Sequence, residues 1–277
     1  MKSIEFSKMH GLGNDFVVID GINQSIELSE EQVRFIANRR FGVGCDQLLL
    51  VEKPQMAGAE FRYRIFNADG GEVEQCGNGA RCFARFVTEK GLTGLREIPV
   101  QTAAGLIVLK LEENGDVTVN MGVPVFEPRA LPFEAESRAP SYALQTSQGE
   151  LQIAAVSMGN PHAVLEVDNV ETAPVAQLGA EIEQHPRFPQ RVNVGFMQIE
   201  SPQWIRLRVY ERGAAETLAC GTGACAAVAA GRMQGKLAEM VKVSLPGGEL
   251  VIRWQGNNEP LYMTGPATRV FEGSISL

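Results

Sequence analysis

The chain contains the pentapeptide Cys-Gly-x-Gly-Ala twice, at residues 76–80 and 220–224 of its 277 residues. In both copies a run that alternates apolar residues with arginine precedes the pentapeptide, at 61–67 and 204–210, and a strongly apolar run follows it. Each copy therefore predicts a strand, a tight turn and a helix. The glycines leave each cysteine beside bare backbone N–H groups at the helix start, where the helix dipole favours an anion.

Further segments repeat in the same order along the chain. Residues 100–124 align without gaps on 243–267, and each copy predicts a strand, a turn that contains asparagine and a second strand. The segment GNDFVVID from Gly13 resembles GNPHAVLEVD from Gly159. All of these pairs are separated by 143 to 146 residues, which indicates a chain with two similar halves. We expect each half to place its cysteine at an equivalent point.

The burial patterns of the helical runs predict how each half is built. Residues 224–230 are apolar on every face, which predicts a helix enclosed by other structure. The fold is therefore expected to be α/β (α+β), with two pseudo-twofold domains, each a curved, mainly antiparallel β-sheet or barrel wrapped around its cysteine-bearing helix. The first half is expected to run to about residue 121, and the second from 122 to about 264.

A different helix is predicted on the outside of the first half. Ser29 begins a capped amphipathic pattern that should extend to about residue 40. Its buried face is expected to consist of Val33, Ile36 and Ala37.

Composition narrows the classes of partner. The chain has 25 basic and 33 acidic side chains, a formal charge of −8, which disfavours binding to a phosphate backbone. The start of the sequence lacks the apolar core of a signal peptide, and no apolar run is long enough to span a bilayer. We expect a soluble, cytoplasmic protein that binds a small molecule rather than nucleic acid or membrane.

The five cysteines are expected to be reduced thiols. Their number is odd, and a chain without a secretory signal rarely depends on a disulfide framework. Their spacing does not form CxxC pairs or a four-ligand zinc set, so no metal site is predicted. Three of them have no counterpart in the other half and are interpreted as core residues: Cys45, Cys82 and Cys225.

Cys76 and Cys220 are the candidate catalytic residues. A cysteine ordinarily titrates at about 8.5, and a helix N-terminus lowers that into roughly the 3.5–7.5 range. Two such thiols beside one substrate carbon should hold about one proton between them. The pair would remove a proton from one face of the carbon and return another to the opposite face. This pattern predicts racemisation or epimerisation without a metal or organic cofactor, with the helix N-termini stabilising the enolate charge.

Other interpretations of the two cysteines remain open at this point. They could be small core residues at tight turns, although their recurrence at equivalent points disfavours this. They could form a disulfide in a thiol redox protein, which the absence of CxxC makes less favourable. The two helix starts could also belong to a non-catalytic module that binds anions.

The chain resembles the diaminopimelate epimerase family from its start to its last strands. The resemblance rests on these segments, in this order: KMHGLGNDFVVID, FGVGCDQ, FNADGGEVEQCGNGARC, MGNPH, RVNVGF and ERGAAETLACGTGACA. It implies interconversion of LL- and meso-2,6-diaminopimelate without a cofactor, in the biosynthesis of lysine and peptidoglycan precursors. It also implies that the tail, 265–277, returns to the first domain, and that Cys76 and Cys220 exchange acid and base roles with reaction direction.

The resemblance extends to the substrate-binding residues. Its binding side chains fall on Asn14, Gln47, Asn67, Asn160, Asn193, Glu211 and Arg212, and its carboxylate-binding backbone amides on Gly77, Asn78, Gly221 and Thr222. Arg212 would take the distal carboxylate and Glu211 an ammonium group. His162 and Glu211 would modulate the pKa values of the thiols.

Several of these residues also permit simpler interpretations. Asn14 and Asn160 follow glycines and suit turns. Gln47 and Asn193 suit solvated strand ends. The Glu211–Arg212 pair suits an ordinary surface.

A racemase of the same fold that acts on proline or another amino acid is the alternative function. It is disfavoured because a substrate without a second carboxylate would leave several of these polar side chains unpaired. A homodimer is expected from the resemblance, although the tail carries Phe271 at a place where some members have tyrosine.

Overall fold

A computed structural model describes residues 3–73 and 76–277 of the chain. They form two compact units. One contains the chain up to Asn120 together with Thr264–Leu277, and the other contains Met121–Met263.

The first unit contains two helices and most of the N-terminal strands. Its helices are α1 (Glu30–Ala37) and α2 (Gly77–Glu89). Its strands, in chain order, are β1 (Ser3–Gly11), β2 (Asn14–Asp20), β3 (Gln47–Glu52), β4 (Phe61–Asn67), β5 (Glu72–Val73), β6 (Glu97–Thr102), β7 (Gly105–Leu111) and β8 (Val117–Asn120).

The second unit has the same kinds of element. Its helices are α3 (Val175–Glu183) and α4 (Gly221–Met233), and a 3-10 turn covers Pro128–Ala130. Its strands are β9 (Tyr142–Thr146), β10 (Gly149–Ser157), β11 (Pro161–Glu166), β12 (Asn193–Ser201), β13 (Trp204–Glu211), β14 (Ala215–Thr217), β15 (Met240–Leu245) and β16 (Gly248–Arg253). Strand β17 (Tyr262–Gly265) includes the boundary at residues 263 and 264, and β18 (Thr268–Ser276) belongs to the first unit.

The two units share one strand topology. In the first, the order is β18-β1-β2-β3-β4-β6-β7-β8, with β5 also paired to β4. In the second, the order is β9-β10-β11-β12-β13-β15-β16, with β14 paired to β13. The parallel pairs, β2/β3 with β4/β6 and β11/β12 with β13/β15, occur at corresponding places, and the other pairs in these two strand orders are antiparallel. The predicted mainly antiparallel fold with two similar halves is confirmed.

Each parallel pair depends on a helix, because a parallel connection must cross over the sheet. Helices α1 and α3 connect the first pair of each unit, and α2 and α4 connect the second. Helix α2 packs against β1, β2, β3, β7, β8 and β18, and α4 packs against β10 to β13 and β16. Every residue from Ala224 to Ala230 is buried, as expected for a helix enclosed by a curved sheet.

The outer helices, α1 and α3, cover the faces of the sheets that are opposite to those covered by α2 and α4. Helix α1 has the predicted Ser29 capping box with Gln32, and its Val33, Ile36 and Ala37 are buried. It ends at residue 37 rather than near 40, because the Asn38 side chain accepts hydrogen bonds from the backbone N–H groups of residues 40 and 41, two and three positions further on, and so forms a turn.

The described helices contain no segment that is both long enough and apolar enough to cross a membrane.

Candidate active site

Cys76 and Cys220 are the N-cap residues of α2 and α4. Both have extended backbones, and their carbonyls accept the first helical hydrogen bonds, from Ala80 N–H at 2.8 Å and Ala224 N–H at 3.0 Å. The thiols therefore stand at equivalent points of the two units. The next residues, Gly77 and Gly221, begin helical turns whose first N–H groups have no intrahelical acceptor, a geometry suited to an anion.

In the first unit, the Cys76 thiol lies among amides. Its Sγ is 3.8 Å from Asn14 Oδ1, which also accepts from the Asn78 side chain at 3.1 Å. The Asn14 amide nitrogen donates to Asp46 at 2.9 Å. Because a carboxylate only accepts, Asp46 orients the Asn14 amide with its oxygen toward Cys76.

Gln47 is the first residue of β3, and Asn67 is the last residue of the neighbouring strand β4. They are opposite each other in the antiparallel register, and Gln47 donates to Asn67 at 2.9 Å. On the same strand as Asn67, the buried Tyr63 hydroxyl donates to the Cys76 carbonyl at 3.4 Å. The structure thus brings these two predicted amides together where the two neighbouring strands begin and end.

Arg81 is a further buried residue of this region, and no sequence pattern indicated it. Its guanidinium donates to Asn78 Oδ1 at 3.0 Å and to the Pro266 carbonyl at 3.1 Å. It therefore ties the first turn of α2 to the C-terminal segment. The sequence shows an arginine four residues after Gly77, a predicted binding residue. Nothing in the sequence shows that this arginine is fully buried.

A charged cluster around Asp46 supports Asn14, and no sequence pattern indicated it. Asp15 pairs with Lys8 at 2.6 Å and with Arg39 at 2.8 Å, and Arg39 also reaches Asp46 at 2.7 Å. Burial opposes ionisation of Asp15, but hydrogen bonds from Arg39 and Lys8 outweigh it and hold the pKa of that carboxyl well below its usual value.

In the second unit, the Cys220 thiol lies beside a carboxylate. Its Sγ donates to Glu211 Oε2 at 3.1 Å, and Thr222 Oγ1 lies 3.6 Å away. The other Glu211 oxygen accepts from Thr217 Oγ1 at 2.5 Å. Glu211 is the last residue of β13, so this strand supplies the group that contacts the thiol.

This environment reverses the expected pKa shift of Cys220. The helix start predicted a lowered pKa, but burial, together with the Glu211 charge, raises the pKa of this thiol well above its ordinary value. Hydrogen bonds from Thr222 and the Gly223 N–H favour the thiolate and are outweighed. In this structure Cys220 is a protonated thiol that donates to Glu211.

His162 belongs to the same unit and forms a hydrogen bond with an amide there. Its Nε2 is 3.0 Å from Asn160 Oδ1, and Asn160 Nδ2 donates to Thr222 Oγ1 at 3.3 Å. Burial, and next the Arg212 charge, lower the pKa of His162 to about 3, so the ring is neutral at pH 7. Its Nδ1 is buried, without a hydrogen-bond partner among the residues that the structure describes.

Asn193 binds the backbone of Arg212, the remaining predicted residue. Its amide donates to the Pro161 carbonyl at 3.1 Å and accepts from the Arg212 backbone N–H at 2.9 Å. The Arg212 guanidinium donates to the Gln190 carbonyl at 3.0 Å. Asn193 is buried rather than a solvated strand end.

Comparison with known proteins places the chain in a family. Residues 6–127 and 154–270 match the model of the family described as diaminopimelate epimerase. The chain is 67% identical over 276 residues to a diaminopimelate epimerase of Thioalkalivibrio sulfidiphilus (strain HL-EbGR7), with 99% of each chain covered. It is 59% identical over 274 residues to a diaminopimelate epimerase of Nitrosospira multiformis (strain ATCC 25196 / NCIMB 11849 / C 71), again with 99% of each covered.

A solved structure shares the fold at lower identity. The PhzF family phenazine biosynthesis protein of Bacillus anthracis superposes with a TM-score of 0.73 at 17% identity, with 100% of both chains covered. This likeness concerns the fold alone, whereas the family model covers most of the chain and the two relatives match it almost end to end. On that evidence the chain belongs to the diaminopimelate epimerase family.

Proposed function

We propose that this protein is a cofactor-independent isomerase that interconverts LL- and meso-2,6-diaminopimelate with two cysteine thiols. The observation that carries the proposal is the pair of thiols at equivalent helix N-termini, in a chain whose near full-length relatives are named for this activity. Its place would be the biosynthesis of lysine and peptidoglycan precursors.

The electrostatics suggest which thiol starts as the acid. Cys220 is buried beside Glu211 and holds its proton, so Cys76 is assigned as the base for the direction that begins from this state. Cys76 would take the α-proton from one face of the carbon, and the Cys220 S–H would deliver its proton to the other. The product state then has Cys76 protonated and Cys220 ionised, and the reverse reaction uses the opposite assignment.

Negative charge develops on the substrate carboxylate as the α-proton leaves. The backbone amides of Gly77, Asn78, Gly221 and Thr222 are assigned to this carboxylate, because preorganised N–H groups stabilise enolate charge without reorganisation. The Asn14 amide oxygen faces the Cys76 thiol. We assign it to accept a hydrogen bond from a substrate ammonium group or from this thiol.

We assign binding of the distal end of the substrate to neutral amide side chains and to one charged side chain that forms an ion pair. Arg212 is assigned to the second carboxylate. Gln47, Asn67, Asn160 and Asn193 complete the set, with Glu211 as both an ammonium acceptor and the modulator of Cys220. His162 is assigned an indirect part, through Asn160.

Two further properties are proposed from the family. We expect a cytoplasmic enzyme, because its substrate is a biosynthetic intermediate. We also expect a homodimer, and the exposed Val270 and Phe271 of β18 offer apolar surface for it.

Proton exchange observed by NMR tests the function. LL-diaminopimelate is incubated with the reduced enzyme in D2O, and loss of the α-proton signal is followed together with appearance of the meso isomer. Exchange with inversion supports the proposal. Exchange of proline or another amino acid, but not of diaminopimelate, would support the alternative racemase, and no exchange of any of them would favour an anion-binding module.

A further inference from the structure

The turn after β13 carries Glu211 and Arg212 in a constrained backbone. Gly213 and Ala215 both have left-handed conformations, with φ of 75° and 60°. Alanine rarely adopts this conformation, so the turn must be held by its surroundings.

Hydrogen bonds from neighbouring elements hold this turn. The Arg212 N–H donates to Asn193 Oδ1 at 2.9 Å, and the Gly213 N–H donates to Glu183 Oε1 at 2.7 Å. The next N–H, of residue 214, bonds to a carbonyl inside the turn. Glu183 supplies the charged acceptor among these three and makes the shortest contact.

Glu183 connects this turn to the segment that precedes β12. It is the last residue of α3, its side chain is buried, and its backbone carbonyl accepts from Val192 N–H at 3.1 Å. Arg191, which also has a left-handed backbone, pairs with the same Glu183 oxygen at 3.3 Å. The Glu183 side chain thus links Arg191, two residues before Asn193, to Gly213, the residue after Arg212.

The first unit lacks this carboxylate. Ala37 ends α1 at the corresponding place, and its carbonyl likewise accepts from a backbone N–H, that of Cys45, at 3.1 Å. The turn after β4 is closed by its own Asp69, which accepts from Gly71 N–H at 2.9 Å. Ala68 stands where the second unit has Arg212. The buried carboxylate therefore occurs in the unit that also carries the arginine.

We infer that Glu183 is a positioning residue that sets recognition of the second carboxylate of the substrate, by holding the turn that presents Arg212. This inference rests on the proposed function of Arg212. Glu183 is not assigned a contact with the substrate, since both its bonds go to protein groups.

The test compares Glu183→Ala with three other variants. Glu183→Ala should raise KM for LL-diaminopimelate about tenfold, the effect of losing one charge-assisted hydrogen bond, and change kcat less than about twofold. Glu183→Gln retains an oxygen for Gly213 and should restore most of the affinity. Glu181→Ala is the matched control, because Glu181 also lies on α3 and accepts backbone and hydroxyl bonds, but from Ser147. Arg212→Ala reports the parent assignment.

L-Lysine separates positioning from a general structural effect, because it is diaminopimelate without the second carboxylate. Its inhibition constant should not change in Glu183→Ala, so the preference for diaminopimelate over lysine should narrow. An unchanged KM, or equal changes for both molecules, would overturn the inference while Arg212→Ala remains impaired. If Arg212→Ala is itself normal, the assignment of Arg212 fails and the inference fails with it.

Glu183→Asp provides the test if the alanine variant does not fold. Its shorter carboxylate keeps the charge but draws back from Gly213 N–H. A raised KM supports the inference, and a normal KM contradicts it.

Discussion

The two thiols occupy equivalent backbone positions but meet different neighbours. Cys220 faces Glu211, the last residue of β13, whereas the last residue of β4 in the other unit is Asn67, which bonds to Gln47. A carboxylate disfavours a nearby thiolate and an amide does not. The asymmetry of the proposed acid and base therefore arises from the deeper burial of Cys220 and from the carboxylate at the end of the strand beside it.

The reactivity of Cys220 should report this carboxylate. In a Cys76→Ala background, Glu211→Gln removes the negative charge, so the pKa of Cys220 should fall, although burial keeps it above that of an exposed thiol. More thiolate at pH 8 means faster alkylation by iodoacetamide, read by mass spectrometry of the Cys220 peptide. Glu216→Gln, whose carboxylate pairs with Arg208, is the control. A rate that is unchanged or slower in Glu211→Gln would refute the assigned cause.

Loss of either thiol should stop epimerisation. Cys76→Ala and Cys220→Ala each remove one acid–base group, which is worth about 10²–10⁴ in rate. Turnover of LL-diaminopimelate followed by NMR gives the measurement. Cys82→Ala, a buried cysteine of α2, should keep its turnover. Full turnover by either of the first two variants would end the two-thiol mechanism.

At the element scale, the outer helices set the positions of the strand ends. Helix α3 packs closely on β13, and a Cβ built on Gly179 would lie 2.6 Å from the Tyr210 Cβ. Tyr210 precedes Glu211. The missing side chain at residue 179 therefore allows the helix to approach the strand that carries the proposed partner of Cys220.

Gly179→Ala should destabilise the protein despite the better helix propensity of alanine. Propensity would contribute about 1 kcal/mol of stability, but a buried clash typically costs about 1–3 kcal/mol, so a net loss is expected. Urea unfolding measures it. Gly94→Ala, where a Cβ meets no atom within 4 Å, should be close to neutral. A stabilised Gly179→Ala variant would show that helix and strand separate at little cost.

At the scale of the whole molecule, the same topology is used twice with different polar support. The first unit surrounds Asn14 with a charged cluster of Lys8, Asp15, Arg39 and Asp46. Because the pKa of Asp15 is below its unfolded value of 3.8, the cluster stabilises the fold above pH 3.8, and this contribution is lost as the pH falls further.

The stability of Arg39→Gln should reveal this pH dependence. The side chain of Arg39 is 58% exposed, so we expect a loss of about 1 kcal/mol near pH 6. In urea unfolding at several pH values, the difference from the wild type should shrink at a pH below 3.8, where Asp15 of the variant, whose pKa is less lowered, becomes protonated before Asp15 of the wild type. Arg40→Gln provides a neighbouring control. A difference that stays constant down to the pH at which Asp15 is protonated in both proteins would contradict the role of Asp15.

Much of the architecture could be predicted from local patterns. The repeated pentapeptides, the Ser29 capping box and the apolar run of α4 depend on residues close in sequence, and the structure has the corresponding elements. The end of α1 was wrong by three residues, because the Asn38 side chain competes for the backbone N–H groups. Resemblance to a family, rather than periodicity, supplied most of the binding residues.

The sequence by itself determined that two similar halves each begin a helix at a cysteine, because glycine spacing and hydrophobic periodicity act over a few residues. It did not determine the ionisation of that cysteine. A helix start alone lowers the pKa of a thiol, but burial and the Glu211 carboxylate raise that of Cys220. The neighbours of Arg81 and Glu183 likewise come from segments distant in sequence. Only the tertiary structure decides such properties, because burial and charge pairing depend on which distant strands and turns come together.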